Sequence, residues 1–110
     1  MDKISEINML LDFYGGLLTE RQQYVMGCHY EEDLSLSEIA QELNVSRQAA
    51  YDIIKRSEKI LRGYEQELGL LERFLSQKQR LTDIRQLLIK HEDDVDIRTA
   101  INMIDDLLEA

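Results

Sequence analysis

Arg47, Gln48, Tyr51, Lys55, Arg56, Lys59 and Arg62 lie close together in the chain, and their side chains have the chemistry of nucleic-acid recognition. Arginine forks onto the O6 and N7 of guanine and glutamine onto the N6 and N7 of adenine. Lysine and arginine neutralise phosphates, which fixes a protein's register on a duplex without reading its sequence. On a helical repeat Ala50, Ile53, Ile54, Ser57 and Leu61 form the inward stripe. Arg47, Gln48, Tyr51, Asp52, Lys55, Glu58, Lys59 and Arg62 then point outward, with Arg56 at the edge. Arg47 and Gln48 occupy the helix N-terminus, the end that meets base edges in a reading helix. Lys55, Arg56, Lys59 and Arg62 would hold phosphates. The competing interpretation is a solvated helix face, its cations flanked by Asp52 and Glu58.

Charge sharpens the choice. Residues 47–64 hold five basic and two acidic side chains, a local charge of +3. The whole chain has 13 basic against 22 acidic residues and a net charge of -9, so the other residues together carry -12. A field of that sign repels a polyanion at long range. Nucleic-acid binding is therefore expected to be weak, or to need two such helices acting together in a dimer.

Other reactive residues form no constellation. The run "CHYEED" brings Cys28, His29, Glu31, Glu32 and Asp33 together, but a closed zinc site needs about four ligands and the only other histidine is the distant His91. Cys28 and His29 are adjacent, so on a helix they point apart and do not make a nucleophile pair. The acids Asp93, Asp94, Asp96, Asp105 and Asp106 lack the glycine and terminal glutamate of a calcium loop. No phosphate-binding glycine loop or serine elbow is present. The expectation is a protein without metal, cofactor or enzymatic activity.

The elements that must position the basic residues are helices. Proline is absent, and Leu, Ile, Glu, Gln, Lys and Arg, which retain rotamer freedom in a helix, dominate. The chain reads as all-α. Ile4, Ile7, Met9, Leu10, Leu11 and Tyr14 give a first amphipathic helix, ended by Gly15 and Gly16. Thr19 and Gln22 have capping-box spacing for a second, with Tyr24, Val25, Cys28 and Tyr30 as its apolar positions. Ser35 and Glu38 repeat that spacing before a short third helix whose buried face is Leu36, Ile39, Ala40 and Leu43. Asn44 can adopt the left-handed conformation that ends it, and Ser46 caps the fourth. The small residue Ala40, the turn residue Asn44, and the plugs Val45 and Ile53 have the spacing of a helix-turn-helix.

Past that motif Leu61, Tyr64, Leu68, Leu71 and Leu75 recur at steps of three and four, a coiled-coil seam. The phase shifts by three to Leu81, Ile84 and Leu88, with Lys78 in an apolar place, which predicts a bend or break near Ser76 to Gln79. Residues 91–96 read as a loop, followed by a last helix with Ile97, Ala100, Ile101, Ile104, Leu107 and Leu108 inward. The organisation expected is a helix-turn-helix domain of about four helices over 1–64 and a long helical, coiled-coil extension over 65–110. Leu68, Leu71, Leu75, Leu81, Ile84 and Leu88 are the candidate interface of a homodimer, because one short chain covers so long a seam poorly.

One cysteine excludes an internal disulfide, and no run approaches the roughly 20 apolar residues that span a bilayer. The N-terminus has two carboxylates and one lysine before its apolar stretch, unlike a secretory signal. A cytoplasmic protein with no membrane partner is expected.

The stretch from Glu38 to Leu61 resembles region 4 of bacterial sigma factors. Over more of the chain "LLTERQQ", "DLSLSEIAQELNVSRQAAYDIIKR" and "YEQEL" resemble the YlxM family of helix-turn-helix proteins, whose gene usually neighbours that for Ffh, the protein subunit of the signal recognition particle. Ala50 departs from the pattern, where valine is usual. The resemblance implies a regulatory or accessory protein of that secretion pathway, with Ffh or another component of the particle as partner. The residues themselves leave open a regulator that reads duplex DNA through positions 47–62.

Overall fold

The computed structural model describes residues Met1–Ala110 and is built of helices alone. They are α1 (Lys3–Tyr14), α2 (Glu20–Tyr30), α3 (Leu36–Leu43), α4 (Arg47–Leu68), α5 (Leu70–Leu88) and α6 (Val95–Glu109), with single 3₁₀ turns at Gly15–Leu17 and Ile89–His91. The helix starts follow local chemistry. Thr19 and Gln22 close a reciprocal capping box on α2, and Ser35 and Glu38 close another on α3. Ser46 Oγ accepts from the Ala49 N–H at 3.0 Å to open α4, and the Asp94 carboxylate accepts from Asp96 and Ile97 to open α6. Asn44 ends α3 in the left-handed conformation, φ 56°, as its short polar side chain permits.

The chain divides into two units, Met1–Leu71 and Glu72–Ala110. In the first, α4 is central and packs against α1, α2 and α3. Ile7, Leu10, Val25, Met26, Ile39, Ala50 and Leu61 are fully or almost fully buried between them. Each such side chain contributes about 1.5–3 kcal/mol of burial except the smaller alanine, so α4 is held mainly by packing rather than by helix propensity. Ala50 is fully enclosed, and this site accommodates the smaller residue within the core.

The expected break near Ser76 to Gln79 is not there: α5 runs unbroken through it. The chain turns instead at Gly69, whose positive φ of 63° ends α4 with its N–H on the Glu65 carbonyl. Two side chains take over the exposed backbone at the start of α5. The Tyr14 hydroxyl accepts from the Leu70 N–H at 3.1 Å, and the Glu65 carboxylate accepts from the Leu71 N–H at 2.9 Å. Tyr14 also donates to Glu65 at 2.7 Å, so α1 grips this corner. The leucine repeat across residues 61–75 therefore belongs to two helices, not one.

In the second unit α5 and α6 are joined through the 3₁₀ turn into a helical hairpin. Phe74, Lys78, Leu81, Thr82, Arg85 and Leu88 are the half-buried positions of α5. Ile97, Ile101, Ile104 and Leu108 supply the α6 side. Lys78 fits this seam because its ammonium lies over the Phe74 ring, 4.8 Å from the centroid. Arg85 pairs with Asp105 across the hairpin at 2.7 Å. No helix is long and apolar enough to cross a membrane.

Candidate nucleic-acid interface

Serine, asparagine and alanine place the reading residues. Ala40 is buried where α3 meets α4, and its carbonyl accepts from the Val45 N–H at 3.0 Å, which closes the turn. Ser46 then starts α4 with Arg47 and Gln48 in its first turn, both exposed. With Tyr51 and Leu36 they line a shallow groove at the mouth of the helix-turn-helix. The first turn of a helix carries partial positive charge, so this mouth favours an anionic group even before the side chains are counted.

The seven candidate residues are all exposed, but they divide by partner. Arg47, Arg56 and Lys59 form no ion pair. Gln48 donates to Asp52 at 3.0 Å, one helical turn on. Lys55 lies 3.6 Å from Glu58 and stands over the Tyr51 ring, 5.5 Å from its centroid. Arg62 is paired with Glu6 of α1. Two of the five cations of α4, Lys55 and Arg62, are thus engaged by carboxylates, and Arg47, Arg56 and Lys59 are bare.

Glu58 is a correction. It was expected outward, yet it is 7% exposed and serves as a junction of three helices. Tyr30 of α2 donates to its Oε1, while Lys3 of α1 and Lys55 of α4 each lie 3.6 Å from its Oε2. Burial pushes the Glu58 carboxyl up, but the Tyr30 hydroxyl and the two ammoniums outweigh it and hold the group below the usual carboxylate range. Burial and the same hydrogen bond push the Tyr30 phenol well up. A signal for this was present: Glu58 follows Ile54 by four residues and precedes Leu61 by three, the spacing of the buried stripe. Lys3, far away in the chain, gave none.

Of the leucine-seam residues, Leu71 is buried in the first unit's core and Leu81 and Leu88 are half-buried in the α5–α6 hairpin. Leu68, Leu75 and Ile84 are exposed. Cys28 is buried, its thiol pushed up by burial, and no cluster of histidine, cysteine and acid stands ready for a metal ion.

A family model described as "Putative helix-turn-helix protein, YlxM / p13 like" matches residues 1–101. The chain belongs to this family. A UPF0122 protein of Desulforamulus reducens is 47% identical over 92 residues, covering 84% of this chain and 79% of that protein. Relatives carrying the same family name in Shouchella clausii and Bacillus mycoides are 50% identical over 86 residues and 46% identical over 92. They cover 78% and 84% of this chain, and 79% and 84% of their own lengths. The match extends beyond the helix-turn-helix, through α5 and into the first half of α6.

Proposed function

We propose that the chain is a non-enzymatic regulatory protein that binds duplex nucleic acid through the exposed face of α4. The observation that carries this reading is the open first turn of α4, with Arg47 and Gln48 beside a groove and a capped helix-turn-helix behind them. Arg47 and Gln48 meet base edges there, and Arg56 and Lys59, unpaired in the free protein, take phosphates. Lys55 and Arg62, on the same face as Lys59, take two more, and Tyr51 lies beside Lys55. About four phosphate contacts lose roughly a hundredfold in affinity between 50 and 200 mM salt. Anisotropy titration of a labelled duplex over that range tests the reading. Binding that ignores salt, or that Arg47→Ala leaves unchanged, overturns it.

The charge of -12 outside residues 47–64 favours a second reading, an adaptor whose acidic surface docks a basic protein. The YlxM resemblance supports Ffh, in the signal recognition particle pathway of the cytoplasm, as that partner. In this reading Leu68, Leu75 and Ile84 join two copies into a homodimer, a state that light scattering measures. One titration panel of Ffh, signal recognition particle RNA and random duplex DNA separates the two readings. Tight duplex binding without a response to Ffh removes the adaptor.

A further inference from the structure

The Glu58 junction does more than join helices. Its two oxygens have different tasks: Oε1 is taken by the Tyr30 hydroxyl, and Oε2 by the ammoniums of Lys3 and Lys55. Both ammoniums lie 3.6 Å from one atom, so they are no farther apart than twice that distance. The carboxylate is sunk beneath them, while the Lys3 side chain is 54% and the Lys55 side chain 44% exposed. An ammonium has three donors. Each lysine is ion-paired with Glu58 at 3.6 Å and, being about half exposed, can still donate outward.

The geometry points to a phosphate-binding pair, Lys3 of α1 with Lys55 of α4, that clamps the phosphodiester backbone of a duplex beside the reading helix. This assignment rests on the nucleic-acid reading of α4 and adds a second helix to it. Two ammoniums alone repel one another, and Glu58 offsets that repulsion and sets their spacing, which makes it a positioning residue. The group stays net positive, since two cations share one carboxylate. Of the neighbouring acids, Glu6 is paired with Arg62, and Asp2 caps α1, its carboxylate turned to the Ser5 N–H at 2.8 Å rather than paired with Lys3. Lys55 also lies on the same side of α4 as Tyr51 and Gln48, so a phosphate at the pair and a base at the first turn are met by one face.

The test uses the full chain and two duplex DNAs of unrelated sequence, titrated over a series of salt concentrations. Lys3→Gln is expected to lower the log–log salt slope by about one, equally for both duplexes, and Lys3→Arg to restore it. Lys59→Gln serves as the reference cation. If Lys3→Gln keeps the wild-type slope while Lys59→Gln reduces it, the lysine pair is overturned and the α4 reading stands. If the wild-type chain shows no salt-dependent binding, both fall. Acetylation of the wild-type protein, read by mass spectrometry, gives an answer that needs no variant. Saturating duplex should shield Lys3 and Lys55 but not Lys90, and undiminished labelling of Lys3 overturns the proposal.

Discussion

The Tyr30 hydroxyl donates to the Glu58 carboxylate, tying α2 to α4 within a site that α1 completes through Lys3. A buried charge that loses a donor bears a desolvation cost that a surface group does not. Tyr30→Phe removes the donor and little volume. It is expected to destabilise the protein by about 1–3 kcal/mol, read as a lower urea midpoint with an unchanged slope.

The same carboxylate sets a pH dependence. Its folded pKa lies below the unfolded value of about 4.3, so its contribution is complete above that pH and is lost as pH falls through the lower folded value. Unfolding free energy should therefore drop for the wild type as pH falls below about 5, and drop less for Glu58→Gln. The two proteins differ most near neutrality and converge in acid. An equal pH slope in both would remove Glu58 from the explanation.

Two glycines, one inside α4 and one just past its end, should respond in opposite directions. Gly63 lies inside α4 with open space around a prospective Cβ, so Gly63→Ala should stabilise by up to about 1 kcal/mol. Gly69 has equal space but a φ of +63°, so Gly69→Ala should cost about 1–2 kcal/mol. Thermal melts of the two variants against wild type decide it, and a shift of the same sign in both contradicts the turn at Gly69.

Ala40 marks the close approach of α3 to α4. Ala40→Leu adds three carbons to an almost closed site and should destabilise by about 1–3 kcal/mol or more. Circular dichroism during urea unfolding measures the loss.

These cases show where the sequence was informative. Caps are short-range: Thr19 with Gln22, Ser35 with Glu38, and Asn44 act within three or four residues, and the structure has each in its expected role. The buried stripe of α4 was legible for the same reason. The corner at Gly69 was not, because a leucine repeat continues across it and one of the two side chains that receive the new helix start, Tyr14, is distant in the chain. Lys3 was invisible likewise. Glu58 was legible in spacing but hidden by its charge, since a carboxylate enters a core stripe only when partners from other helices are present to receive it. The exposure of the α4 candidates was legible from the helical repeat, yet their division into bare and paired side chains depends on Glu6, Asp52 and Glu58.

Cys28 gives the molecule a built-in clock. Its sulfur is buried in the core of the first unit and is the single thiol in the chain. A buried, protonated thiol reacts only when the surrounding helices part, so labelling by an aromatic disulfide times that opening directly. No engineered probe is needed to learn how often this core breathes, or whether a bound duplex slows it.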